Sequence, residues 1–174
     1  MPWQIPWIRT HSPPFLPTTN HNSSVSFNVI DPNTINAVPS TTYPNPLPKF
    51  FPTSVNCSIE WDSRNDAPYD VVWPCGLTDS GNWTFQILHT HNESEWQSAT
   101  DQFILRLNLK EALAYNGSTY SKAFVAEQFI GGEILAGSCG GSGVCNWHLR
   151  PRHTPLLITQ NMTSCEGDCY MDSN

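Results

Sequence analysis

Apolar side chains recur at every second position along several stretches of this chain. In "SSVSFNVID" Val25, Phe27 and Val29 share one face, and in "VNCSIEW" Val55, Cys57, Ile59 and Trp61 do. "WTFQILHTH" puts Trp83, Phe85, Ile87, His89 and His91 in phase, and "QFILRLNL" does the same for Phe103, Leu105, Leu107 and Leu109. A period of two marks a strand with one buried face. "TYSKAFVAEQF" returns as a strand after "YNGS" (115–118), where Asn-Gly supplies positive φ at both central hairpin positions. "VCNWHLR" and "TPLLITQ" are shorter candidates. "DPN" (31–33) and "DSGN" (79–82) are turn signals between runs. Such spacing predicts an all-β fold, a single antiparallel β-sandwich or β-barrel. Only "NLKEALAY" also fits a short helix. "WQIPWIRT" reads as a strand at a sheet edge, because Pro6 has no N–H to give an inner ladder.

The length of 174 residues suits one domain with a real core. We place that domain at 1–160. It carries an extended surface excursion at about 33–54, marked by Pro39, Pro44, Pro46, Pro48 and Pro52, and is followed by a tail at 161–174. A formal charge of −7 with eight Lys and Arg leaves no electrostatic footprint for nucleic acid. No apolar run reaches bilayer-spanning length, so no membrane span is expected.

Six cysteines, Cys57, Cys75, Cys139, Cys145, Cys165 and Cys169, allow fifteen pairings, and sequence alone chooses none. N-glycosylation sequons start at Asn22, Asn56, Asn82, Asn92, Asn116 and Asn161. Together they favour an oxidising, secretory route and a disulfide-stabilised, extracellular glycoprotein. "MPWQIPWIRTHSPP" has no apolar h-region or cleavage site. That leaves a mature form with an added Met, a truncated gene model, or an intracellular protein.

"SCGGSGVC" (138–145) has no Lys and no following helix, so it is no phosphate loop. A zinc knuckle with Cys165 and Cys169 competes on spacing alone. The reading preferred here is a disulfide-closed turn whose glycines avoid Cβ clashes. A bridge between Cys57 and Cys75 would enclose seventeen residues and contribute about 3 kcal/mol. Cys165 and Cys169 are the leftover pair, for a small tail disulfide or an intermolecular one. His89 and His91 project from one strand face, a usable start for a metal site with His148 or His153 as third ligand; the alternative is a strand end or a hydrogen-bonded pair. No GxSxG elbow or cysteine-protease pattern is present. Glu60, Asp62, Asp70, Glu93, Glu95, Asp101, Glu111, Glu127 and Glu133 offer no singled-out pair for glycoside hydrolysis. No catalytic residues and no cofactor are therefore assigned. Most of the seven tryptophans sit in apolar strand patterns and suit the core, whereas Trp96 suits an exposed platform.

The succession "SFNVIDPN", "NCSIEW", "VVWPCG", "WTFQI", "FILRLNL" and "SCGGSGVC", loosely covering residues 24–160, resembles the small secreted fungal proteins related to the Alternaria major allergen. The resemblance implies disulfides between Cys57 and Cys75 and between Cys139 and Cys145. It also implies an extracellular β fold without known enzymatic activity. Members are associated with host interaction and allergenicity. The insert at 33–54 and the Cys165/Cys169 tail fall outside the pattern, as does the missing N-terminal cysteine of the dimeric allergen. The expected role is binding, effector-like or at the cell surface, with an unknown protein or glycan ligand, including a host defence protein. The rivals are a secreted carbohydrate-active enzyme and a His-based metal-binding module.

Overall fold

The computed structural model describes residues 1–14, 21–38, 47–79, 81–90 and 98–167. His91, Asn92, Trp96, Cys169 and the middle of the Pro-rich excursion lie outside them. Thirteen strands are described: β1 (Trp3–Ser12), β2 (Asn22–Asp31), β3 (Ile35–Asn36), β4 (Lys49–Phe50), β5 (Thr53–Asp62), β6 (Trp73–Pro74), β7 (Gly81–Leu88), β8 (Phe103–Tyr115), β9 (Ser118–Ile130), β10 (Leu135–Cys139), β11 (Cys145–Leu149), β12 (Leu156–Ile158) and β13 (Asn161–Glu166). Among the described residues no helix is long and apolar enough to cross a membrane.

Two antiparallel sheets carry the fold. The first runs β10-β11-β1-β2-β5, with β12 also on β1; the second runs β13-β9-β8-β7-β6. They pack face to face and do not close into a barrel. The alternation seen in the sequence supplies the seam. Val25, Phe27, Val29, Val55, Cys57 and Ile59 face inward from the first sheet, and Trp83, Phe85, Ile87, Leu105, Leu107 and Leu109 from the second. Trp3 meets Trp83 edge-on at 4.5 Å between ring centroids, and Phe27 meets Phe85 at 5.2 Å. Such edge-to-face pairs join the sheets with more than buried area alone.

Pro6 does not mark an edge strand. β1 has β2 on one side and two successive partners on the other. Trp3–Ile5 pair with β12, and Arg9–Ser12 pair with β11. Pro6 falls in the gap between those partners and beside a register shift between Gln4 and Trp7. A residue without an N–H costs no ladder bond there. The shift also changes the inward phase, from Trp3 and Ile5 to Ile8 and Thr10.

Three further expectations are corrected. "NLKEALAY" is strand throughout, because β8 pairs residue for residue with β9 as far as Tyr115↔Ser118. The Asn116-Gly117 turn that ends it has φ of 52° and 78°, as a two-residue hairpin requires. The excursion at 33–54 is anchored at its base: β3 pairs β4, Ala37, Val38 and Phe50 are buried, and Thr53 already belongs to β5. Residues 161–166 are not tail, since β13 lies along β9 at a sheet edge.

Cys57 is bonded to Cys75 and Cys139 to Cys145. Cys165 is also disulfide-bonded. The first bond links the edge strand of one sheet to the residue after β6, the edge of the other. Backbone bonds flank it, from Cys75 N–H to the Trp83 carbonyl and from Gly76 N–H to the Asn56 carbonyl. Across the molecule, the chain passes straight from β12 in the first sheet to β13 in the second. The seam is thus crossed on both flanks. The second bond joins directly paired residues at the tip of the β10–β11 hairpin. Replacing Cys57 and Cys75 with Ala should cost about 3 kcal/mol in urea unfolding, and replacing Cys139 and Cys145 should cost less, because its loop is shorter. The opposite order would deny the inter-sheet bond its role.

Candidate functional site

The ends of several strands converge at one end of the sandwich. β1 brings Ser12, β2 brings Ser23, β5 brings Trp61, and β11 brings Cys145 and Trp147. The turn before β8 adds Ser98, Ala99, Thr100 and Asp101; the loop after β5 adds Ser63, Arg64, Asn65, Ala67 and Tyr69. They enclose a cleft of about 720 Å³, within the range of small-molecule sites.

Its aromatic walls are fixed by backbone pairing. Trp147 sits opposite Gly137 in the β10–β11 ladder. A Cβ on Gly137 would come within 2.8 Å of the Trp147 ring and 2.0 Å of the Asn146 carbonyl oxygen. Glycine there lets the indole lie close over the neighbouring strand. The 139–145 disulfide closes the hairpin beyond it. Tyr69 bridges to Ile87 and stacks on His89 at 3.8 Å between ring centroids. β7 has already ended at Leu88, so His89 leaves the strand phase and becomes the partner of a tyrosine.

The floor is a hydroxyl network. Thr100 Oγ1 lies 2.6 Å from Ser12 Oγ and 3.0 Å from Ser98 Oγ, and Thr10 Oγ1 donates to the Thr100 carbonyl. Arg64 Nε donates to both oxygens of Asp62, at 2.9 and 3.1 Å. That contact holds the Asp62 carboxyl well below the usual carboxylate range. Burial, with the negative charge of Asp101 adding to it, pushes the Tyr69 hydroxyl up to about 12. Tyr69 therefore stays a neutral donor across the physiological range. Tyr69 Oη and Asp101 Oδ1 are both buried without a hydrogen-bond partner among the described residues.

This arrangement can stack a flat or ring-shaped ligand and hydrogen-bond its rim. Asp101 is the single carboxylate among the described lining residues. Among the described residues the two facing carboxylates of a glycoside hydrolase are not brought together there. Of the other acidic candidates, Glu127 pairs with Arg106, Asp62 with Arg64, and Glu60, Asp70 and Glu133 are exposed. Among the described residues no three His, Cys, Asp or Glu side chains gather as a metal site. His148 is exposed on β11, and His153 lies in the short 3-10 turn Pro151–His153. The five described sequon asparagines, Asn22, Asn56, Asn82, Asn116 and Asn161, are all exposed.

A second polar cluster lies at the far end of the same strands. Asp31, Thr53, Glu111 and Lys122 all point inward and are buried. Asp31 pairs with Thr53 across β2 and β5, and Glu111 with Lys122 across β8 and β9. Burial foremost, then the charge of Asp31, pushes the Glu111 carboxyl up to about 8, against the opposing pull of Lys122. Burial also raises Asp31, against the two N–H groups that Asn33 gives its carboxylate. Sequence reading missed this layer, yet its signal was present: each residue ends or begins an alternating apolar run in the inward phase.

No protein-family model, curated protein or solved structure matches this chain.

Proposed function

We propose that the chain is a secreted, glycosylated, non-enzymatic binding protein of the fungal allergen-like type, effector-like or associated with the cell surface. Its ligand occupies the cleft at the Trp61 end of the sandwich. The observation that carries this reading is the wall of Trp61, Tyr69 and Trp147, set on paired backbone and backed by a disulfide. Rigid aromatic walls with a few polar groups are what small-ligand sites are made of. The disulfides and the exposure of every described sequon support the secretory route.

Expressed behind a secretory leader, the protein should leave the cell oxidised and lose mass on N-glycosidase treatment. Retention inside the cell or an unglycosylated product would count against secretion. The small-molecule fraction of plant apoplastic fluid should shift the tryptophan emission of the wild type. Trp147→Ala should lose that shift, while Trp7→Ala, on the outer face, keeps it. Equal responses from both variants would remove the cleft from consideration.

A further inference from the structure

We propose that the cleft binds the end of a short, neutral oligosaccharide, with sugar rings stacked on Trp61 and Trp147 and ring hydroxyls bonded to Tyr69 and Asp101. This deepens the binding reading above and rests on it. Three independent features favour that ligand chemistry.

The first is the mixture of aromatic and hydroxyl side chains that line the cleft. A pyranose ring has the matching surface: C–H groups on its faces for stacking, hydroxyls around its rim for hydrogen bonds. A purely apolar ligand would cover the exposed polar groups of Ser63 and Asn65 without giving them partners, which is costly.

The second is charge. No lysine lines the cleft among the described residues, and Arg64 is held by the Asp62 carboxylate. A sulfated or phosphorylated ligand would find only His21 and the Asp62-paired Arg64 to meet its charge. Asp101 adds an acceptor, which suits ligand O–H donors and disfavours anions.

The third is the pair of unpartnered buried atoms. Tyr69 Oη and Asp101 Oδ1 belong to the same cleft wall, and Asp101 is near enough for Tyr69 to feel its charge. Buried polar atoms without partners are uncommon and call for an explanation. Both atoms lack solvent contact in this structure, so a small turn of the two side chains on binding would bring them to adjacent sugar hydroxyls, one accepting from Tyr69 and one donating to Asp101.

The test titrates the intact, oxidised protein with cellotetraose, xylotetraose, mannotetraose and chitotetraose, each to about 10 mM, a range that detects weak sites. The neutral dye N-phenyl-1-naphthylamine is the non-sugar probe. Tryptophan emission and calorimetry are the readouts. At least one oligosaccharide should saturate. Trp61→Ala should weaken it about tenfold or more, as loss of an aromatic anchor does. Tyr69→Phe, which keeps the ring and its stacking on His89, should weaken it by a smaller factor and guards against a misfolded Trp61 variant. Affinity should stay constant between about 0.05 and about 0.5 M salt, because a neutral ligand is not screened. If no oligosaccharide binds, or if both variants bind like the wild type, the proposal is overturned. Dye binding that Trp61→Ala abolishes, with no sugar bound, would keep the cleft as a binding site and discard the oligosaccharide. Failure of every probe would discard both.

Discussion

Trp83→Ala should destabilise the protein by about 3–5 kcal/mol, the cost of emptying a large aromatic site in a packed core. Trp83 is almost wholly buried and lies against Trp3 from the opposite sheet. Its Nε1–H donates to Thr53 Oγ1 at 3.1 Å, so one side chain ties β7 to two strands across the seam. Truncation removes the transfer energy, leaves a void beside Trp3, and strands a buried threonine hydroxyl. A domain of this size has only about 5–15 kcal/mol of stability in total. Urea unfolding at pH 6 should show the midpoint falling sharply. Trp83→Phe should recover a large part of the loss but not the hydrogen bond. A loss below about 1 kcal/mol for the Ala variant would mean that the seam is not organised around this ring.

Stability should also fall as pH rises from about 5 to about 8. Folding raises the Glu111 carboxyl from 4.5 to about 8. Between those values the folded chain holds a proton that the unfolded chain has released. Unfolding is then favoured by every increase in pH, and the stabilisation present at low pH is lost once pH passes the folded value. The whole swing is up to about 4 kcal/mol. Asp31, raised in the same direction by burial, acts in the same sense. Glu111→Gln keeps the shape of the protonated carboxyl and removes its titration. Unfolding curves at pH 5, 6, 7 and 8 should give a steep decline for the wild type and a flatter one for the variant, with the variant more stable at pH 8. Parallel declines would show that Glu111 is not the titrating group.

Much of this fold is legible in the sequence because one-faced burial writes itself as alternation. Val25 to Val29, Val55 to Ile59 and Leu105 to Leu109 all point where their phase places them. The Asn-Gly hairpin is equally local, since positive φ is a property of two residues. The failures share a different origin. "NMTSCE" has no apolar period because β13 is an edge strand, held by its ladder to β9 and mostly exposed. Pro6 sits in an inner strand because the partner strand is interrupted opposite it, and no local feature of β1 reports that. The helical propensity of "KEALA" is overridden by a long β8–β9 ladder. The cleft gathers residues from across the chain, so spacing does not reveal it, although the phase of Trp61 already directs it inward. The buried acids and lysine were passed over because the apolar runs were read as ending where the polar residue began, whereas the strand continues.

The two partners that complete β1 are among the last strands of the chain. Trp3–Ile5 wait for Leu156–Ile158, and Arg9–Ser12 wait for Cys145–His148. Synthesis is directional, so the first strand leaves the ribosome with one ladder edge open. That edge stays open until residues 145–158 have been made. Contacts this distant in sequence slow folding, because loop-closure entropy must be met before any pairing is gained. An unpaired, apolar strand is also a template for wrong partners during that interval. The nascent chain should therefore depend on holdase chaperones around Trp3–Ser12, and the sheet should be completed only after residues 145–158 have emerged.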